Sequence, residues 1–412
     1  MRVVIAAVSS NTHMSGVSRH AANVVRCLLT RSDVTKVHLL VSPWEYKYVC
    51  EAVSRRDSRL HVHSVSLRPG TLHRNLWYYR QLPAIAAQLK ADVVHIAYPS
   101  PIQKRAFDCP VVVTLHDLYP YDIPQNFGFP KVFFNRLVLQ ECVRSADAIA
   151  CVSESTRLSL TARMPQAISN KAVTVYNCVE PSVAAVKPSF LDDWAGDPFF
   201  LCVAQHRRNK NILLLLQTFK ELLSSQRITS PSRLLIVGMS GPETAQIYHY
   251  IHESGLRQHV MLTSGITDSE LQWCYRNCEV LLAPSVIEGF GLPVAEALLA
   301  GCRVVCSDIP AFRELGANLC RFVALGPEQV EAFASAVCDA VKERRPSPIA
   351  LPKLSPTVVA NQYMRIYGVV AATFTSSSRS PAFTRPFARV PGVAERLKAA
   401  DHTNKPGVVS HS

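Results

Sequence analysis

Ala283-Pro284-Ser285-Val286-Ile287-Glu288-Gly289-Phe290-Gly291-Leu292-Pro293-Val294-Ala295-Glu296-Ala297-Leu298-Leu299-Ala300-Gly301 is the stretch whose reading decides the fold. The apolar run Val280-Leu281-Leu282-Ala283, closed by Pro284, predicts a buried strand. Pro293 suits the first turn of a helix and Gly301 its C-terminal stop. Arg303-Val304-Val305-Cys306-Ser307 then predicts the next strand. Residues 288–292 therefore form a loop between a strand end and a helix start.

A helix N-terminus leaves backbone N–H groups unpaired and carries about half a positive charge, so it attracts phosphate. Gly289 and Gly291 let the backbone approach a ligand with no Cβ in the way. Two carboxylates frame the loop, Glu288 at its start and Glu296 in the first helical turn. Carboxylates repel phosphate, so here they suit hydroxyls. A sugar nucleotide offers both parts, a diphosphate flanked by two polyols. Taken singly, each glutamate also has a plain structural reading: Glu296 as an acid favoured by the helix dipole, Glu288 as a solvated loop residue.

The whole string, Glu288-x7-Glu296 enclosing Gly289-Phe290-Gly291-Leu292-Pro293 between two strands, resembles the donor-site signature of retaining glycosyltransferases of family 4, also called glycosyltransferase group 1. The resemblance implies an α/β chain of the GT-B fold. Two Rossmann-like, doubly wound domains would face a central cleft, and a C-terminal helix would cross back to the first. It also implies that Gly289, Phe290, Gly291 and Leu292 lie along the donor. Glu288 would bind the transferred sugar and Glu296 the ribose hydroxyls. The resemblance covers residues 203–314 closely and the first half more loosely.

At 412 residues the chain exceeds the size at which one core keeps growing, so two domains are expected. Residues 1–180 read as an acceptor-side Rossmann-like domain and 199–356 as the nucleotide-sugar domain. Between them, 181–198 turns to Ser, Ala, Pro and Asp and reads as a linker. Residues 357–374 fit the crossing-back helix, and 375–412 form a basic tail expected to be disordered apart from a short helix at 393–400.

No uncharged apolar run reaches the roughly 18 residues that a membrane-spanning helix needs. Residues 1–8 read as a strand and not a leader, because polar residues follow at once. The 13 cysteines are odd in number and contain no Cys-x2-Cys pair, so reduced, mostly buried thiols and a cytoplasmic location are expected. Lys and Arg total 44 against 31 acids, a net charge of +13. Such an excess fits anionic substrates or peripheral contact with an anionic membrane face. Nucleic acid is disfavoured because no recognised binding motif accompanies the charge.

The first half alternates strands at 2–8, 37–41, 60–65, 92–97, 110–115, 148–152 and 173–179 with helices at 17–29, 72–90 and 129–146. That alternation predicts a parallel sheet wrapped by helices, with ligand loops at the carboxyl ends of strands. Three such ends stand out. In the 12–19 loop, Gly16 resembles the family's turn facing donor phosphate and acceptor; an ordinary turn is the alternative. In Thr114-Leu115-His116-Asp117, the histidine follows a β-branched strand and reaches the cleft mouth. The resemblance puts His116 beside the donor sugar, whereas a lone histidine is otherwise structural. Ser153, after the 148–152 strand, fits a helix N-cap.

The second half opens with a strand at 199–204, then Gln205-His206-Arg207-Arg208-Asn209-Lys210-Asn211, then a helix at 212–223. Basic residues at a helix N-terminus oppose its dipole, so an anion is expected there. The resemblance assigns the donor diphosphate to Lys210. It makes Arg207 the stand-in for the family's arginine, since Gln205 occupies the usual place. A solvated basic loop is the alternative. Gly265 ends the 260–266 strand and turn where relatives hold the base through backbone groups, and a helix with an acidic start follows at 268–277.

The expected activity is metal-independent, retaining transfer of a hexose from a nucleotide diphospho-sugar of GDP-mannose or UDP-hexose type. The acceptor would be a glycan or a lipid-linked glycan, and no cofactor is expected beyond the donor. The chain has no Asp-x-Asp to hold a divalent ion. No residue clearly fills the place of a double-displacement nucleophile, so same-face attack is expected. Two alternatives remain: a sugar-nucleotide epimerase on the same fold, and a non-catalytic sugar-nucleotide-binding protein.

Overall fold

The computed structural model describes residues 1–10, 16–53, 57–180, 184–194, 196–229 and 231–378. Continuous apolar runs become parallel strands buried on both faces. In the first lobe these are β1 (Arg2–Ala7), β2 (Lys36–Val41), β3 (Leu60–Ser64), β4 (Val93–Ile96), β5 (Val111–Leu115), β6 (Ala148–Cys151) and β7 (Ala172–Thr174). They form one sheet in the order β3-β2-β1-β4-β5-β6-β7. Ile5 stands opposite Leu39 of β2 and His95 of β4, so β1 lies where the winding reverses.

The second lobe repeats the plan with β8 (Phe199–Val203), β9 (Arg233–Val237), β10 (Val260–Thr263), β11 (Leu281–Ala283), β12 (Val304–Ser307) and β13 (Arg321–Val323). Their order is β10-β9-β8-β11-β12-β13, with the reversal between β8 and β11. Ligands bind in the crevice beyond the carboxyl ends of strands at such a reversal. His116 follows β5, Lys210 follows β8, and the Glu288–Glu296 string follows β11.

Each sheet is covered on both faces. Helices Gly16–Leu29, Tyr46–Ala52 and Pro356–Ser378 pack on one face of the first sheet. Helices Thr71–Gln88, Lys131–Ser145 and Glu154–Arg163 pack on the other. In the second lobe, Ile212–Ser224, Thr244–Glu253 and Gln329–Lys342 oppose Asp268–Asn277, Leu292–Leu299 and Pro310–Gly316.

The helix Pro356–Ser378 crosses back as expected and completes the first lobe. Val359, Ala360, Tyr363 and Tyr367 are buried among residues of β1, β2 and helix Gly16–Leu29. The Tyr367 hydroxyl lies 2.7 Å from His95 Nδ1, and His95 Nε2 lies 2.7 Å from Thr114 Oγ1. Burial pushes the His95 imidazole down to about 3, so it is neutral and takes part as a hydrogen-bonding ring.

Several expectations are corrected. The strand anticipated at 173–179 stops at Thr174, because Asn177 and Cys178 turn into the first lobe's interior, where Asn177 meets His20 Nδ1 at 2.7 Å. The 181–198 linker contains a 3-10 turn, Ser189–Trp194, which buries Leu191 in the second lobe's core. The last helix runs on to Ser378, so the tail begins later than 375. Helix Tyr46–Ala52 was not anticipated; at 7 residues it is too short to show a period. The rest of the tail, its expected helix at 393–400 and residues 11–15 of the first loop lie outside the described residues. All 13 cysteines are free, and 11 of them are buried. Among the described residues no helix is long and apolar enough to cross a membrane.

Candidate active site

The loop at the head of helix Leu292–Leu299 holds the lobes together. Gly291 is its N-cap, with φ +100° in the left-handed region. A Cβ there would also lie 2.7 Å from the Phe312 ring, so space and backbone both demand glycine. At Gly289 an added Cβ would fall 1.7 Å from the backbone oxygen of His116, in the other lobe. The Gly289 carbonyl accepts hydrogen bonds from Ser153 Oγ at 2.5 Å and Thr156 Oγ1 at 3.0 Å. Ser153 caps helix Glu154–Arg163 as anticipated, accepting from the Thr156 amide at 3.0 Å. Glu314 of the second lobe accepts from two more amides of that terminus, Glu154 at 2.6 Å and Ser155 at 3.0 Å. A carboxylate at a helix N-terminus is stabilised by the dipole as well as by the hydrogen bonds.

Beside this seam lies a cluster of charged and hydroxyl side chains. Lys210 closes the turn after β8 and pairs with Glu288 Oε1 at 2.5 Å. Ser285 donates to the same oxygen at 2.7 Å, and Tyr119 donates to Oε2 at 3.3 Å. Asn209 steadies the arrangement from below: its carbonyl takes the Val286 amide at 2.8 Å, and its side chain donates to the Tyr119 hydroxyl at 3.4 Å. The Lys210 and Glu288 side chains keep only 20% and 9% of their surface, so their attraction is little screened by solvent.

His116 donates through Nε2 to the Ala97 carbonyl at 2.8 Å, which leaves Nδ1 without the ring proton. Burial lowers its pKa despite that bond, which favours the charged form. Its neighbour Asp117 is pushed up to about 6, chiefly by burial, with further push from the charges of Asp122 and Glu288. The Tyr119 amide and the Arg207 guanidinium pull the other way.

A cavity of about 620 Å³ opens on the other side of the loop. The second lobe lines it with Gly265, Asp268, Tyr275, Leu292 and Glu296, and the first lobe with Arg19 and others. Tyr275 donates to Glu296 Oε2 at 2.8 Å. Burial raises the Glu296 pKa, while the Arg19 charge and the Tyr275 hydroxyl oppose the rise.

The structure brings Lys210 and Glu288 to one cluster, and Gly265, Leu292 and Glu296 to one cavity, whereas His116 meets the loop through its backbone oxygen at Gly289 and turns its ring edge-on to His20, with 4.7 Å between ring centroids. Arg207 stands in a separate depression with Arg208 and Glu243, although its charge is felt at Asp117. Phe290 turns its ring into a small core with Val152, Val179 and Leu315, leaving its backbone to face the loop. Gly16 opens helix Gly16–Leu29, exposed, with nothing within 4 Å of an added Cβ. Sequence reasoning missed the roles of Tyr119, Ser285, Tyr275 and Arg19. Tyr119 and Ser285 lie within three residues of His116 and Glu288, the one signal pointing to them.

The family described as Glycosyltransferase Family 4 matches residues 14–183, and the one described as Glycosyl transferases group 1 matches 192–350. The O-antigen chain mannosyltransferase RfbU of Salmonella typhimurium is 27% identical over 226 residues, which is 55% of this chain and 59% of that protein. O-antigen chain mannosyltransferase B of Escherichia coli is 22% identical over 359 residues, covering 83% of this chain and 91% of that protein. Among solved structures, Anabaena HepE in complex with UDP and glucose superposes with a TM-score of 0.62 at 15% identity, over 91% of this chain and all of that one. That likeness shows the two-lobed GT-B fold.

Proposed function

The chain belongs to the group 1 glycosyltransferases of the family 4 type, and from that premise we propose that it is a retaining hexosyltransferase, with GDP-mannose the first donor to test. Its acceptor is a growing glycan or a lipid-linked glycan. Relatives named as O-antigen mannosyltransferases support mannose and a polysaccharide acceptor. The solved structure of HepE with UDP and glucose keeps a UDP-hexose in the panel.

The observation that carries the reading is the pairing of Lys210 with Glu288 beside the start of helix Leu292–Leu299. Loss of the nucleotide puts negative charge on the β-phosphate. Lys210 and the amides at Gly291–Leu292 are the groups that stabilise that charge where it develops. Glu288, released from Lys210, accepts hydroxyls of the transferred sugar and orients its anomeric carbon. Glu296 accepts from the ribose. His116, neutral and held by Ala97, offers Nδ1 to a sugar hydroxyl. Attack comes from the face the leaving phosphate occupies, and the phosphate takes the acceptor's proton.

A place at an anionic membrane surface belongs to the same reading. Helices Thr71–Gln88 and Lys131–Ser145 share one face of the first lobe. They expose Leu72, Leu76 and Tyr79 on the first, and Phe133, Phe134 and Leu137 on the second, with Phe129 just before it. Residues 124–140 carry Lys131 and Arg136 and no acid. Exposed apolar surface of this extent, with Lys131 beside it, fits an anionic bilayer, where a lipid-linked acceptor resides.

The test is incubation with a panel of GDP- and UDP-sugars, with and without polysaccharide or lipid-linked acceptors, followed by product analysis. Retained transfer from one donor supports the proposal. A donor converted to its epimer with no free nucleotide, or binding without turnover across the panel, refutes it.

A further inference from the structure

We propose that Arg19 is a donor-binding residue: with Glu296, one from each lobe, it grips a single ribose hydroxyl of the nucleotide. The inference rests on the donor-site reading above and adds a contact from the opposite lobe.

Arg19 lies in the first turn of helix Gly16–Leu29, and its side chain crosses the cleft. One terminal nitrogen is anchored 2.5 Å from Asp268 Oδ1, at the start of helix Asp268–Asn277. The other stands 3.9 Å from Glu296 Oε1. Tyr275 holds Oε2 of that carboxylate at 2.8 Å, so both ends of the 3.9 Å gap are fixed in place. The gap is too long for a hydrogen bond. An oxygen at ordinary hydrogen-bond distance from both groups spans it.

Guanidinium only donates and carboxylate only accepts, so the bridging group must do both. Among the parts of a nucleoside diphosphate sugar, a hydroxyl does this and a phosphate oxygen does not: phosphate would satisfy Arg19 and be repelled by Glu296. The electrostatics of the cavity agree. Glu51, Glu180, Asp268 and Glu296 line it against Arg19 and Arg26. Arg19 lies against two of the four acids, which lowers the repulsion an entering diphosphate meets. A hydroxyl held from both sides also ties nucleotide binding to closure of the lobes.

The experiment is calorimetry on the full chain with GDP and UDP and their 2′-deoxy and 3′-deoxy forms. The proteins compared are the wild type, Arg19→Ala, Arg19→Lys and Glu296→Ala, each checked for folding by circular dichroism. For the nucleotide that binds, removal of one hydroxyl is expected to weaken the wild type roughly tenfold. The same removal should cost Arg19→Ala and Glu296→Ala at most about threefold. Arg19→Lys, with a shorter and differently shaped donor, should fall between. Removing Arg19 also takes away the charge that holds Glu296 ionised, so the affinity of Arg19→Ala should fail at a higher pH than that of the wild type.

An Arg19→Ala protein that pays the full deoxy penalty, while Glu296→Ala has lost it, overturns the inference and leaves the donor site standing. If Glu296→Ala pays the full penalty too, or neither nucleotide binds the wild type, the donor-site reading falls and the inference with it.

Discussion

Lys210 Nζ lies 2.5 Å from Glu288 Oε1, so the cation suited to phosphate and the carboxylate suited to sugar are engaged with each other before any donor arrives. A donor must separate them, and it replaces one strong contact with two. Lys210→Ala therefore removes the phosphate's partner and also strands Glu288 beside Tyr119 and Ser285. The expected loss is on the order of 10²–10³-fold in kcat/KM, read in a transfer assay with the preferred donor. An unchanged rate would displace Lys210 from the chemistry.

Transfer should persist in excess EDTA, because on the proposed reading Lys210 and the helix N-terminus supply the positive charge at the departing phosphate. A strict requirement for Mg²⁺ or Mn²⁺, restored on adding the ion back, would contradict this.

Gly289→Ala places a methyl 1.7 Å from the His116 carbonyl oxygen, so the two lobes cannot meet as they do here. His116 and Glu288, the groups proposed to meet the transferred sugar, come from opposite sides of that contact. Turnover should drop by roughly 10²-fold while nucleotide affinity changes far less, and solution scattering should report a more open molecule. Equal losses in turnover and nucleotide affinity would point instead to damage in the donor lobe.

Asp117 is held up to about 6 from an unfolded value near 3.8. Below the lower value both states are protonated. Between the two, the unfolded chain ionises while the folded one does not, so Asp117 withdraws stability as pH rises from about 4 to 6. Asp117→Asn keeps an acceptor for the Tyr119 amide, now at 3.0 Å from Oδ1, and carries no charge. The variant should be more stable than the wild type by about 3 kcal/mol at pH 7.5 and indistinguishable at pH 3.5. Denaturant midpoints at the two pH values decide it.

Replacing Phe133 and Phe134 with Ser should weaken sedimentation with phosphatidylglycerol-containing vesicles about tenfold or more. The rings are 54% and 59% exposed, so transfer to a soluble acceptor should continue. Vesicle binding unaffected by the double change would locate any membrane contact elsewhere.

The two-lobed plan was readable because parallel strands announce themselves as unbroken apolar runs, and Glu288-x7-Glu296 marks one strand end without ambiguity. Lys210 could be singled out because a cation just before a helix N-terminus opposes the dipole, and Glu296 because it closes the Glu288-x7-Glu296 string, although it lies beyond the first turn, where the sequence placed it. Contacts between lobes could not be read. Glu314 capping a helix that begins 160 residues earlier, and Arg19 reaching Asp268 across 249 positions, leave no local period or spacing. Arg207 shows the other limit. A basic loop displays its charges in sequence, but the turn at Arg208–Lys210 decides which of them enters the cleft.

Tyr363 and Tyr367 seal the interior of a lobe whose seven strands are all complete by Thr174. During translation that lobe must wait while the whole second sheet is synthesised, with a greasy trough and the polar atoms of His95 and Thr114 open to water or chaperones. Cutting the gene between the lobes would thus yield an unfinished first half. Appending residues 356–378 directly to it should turn that half into a protein that folds unaided.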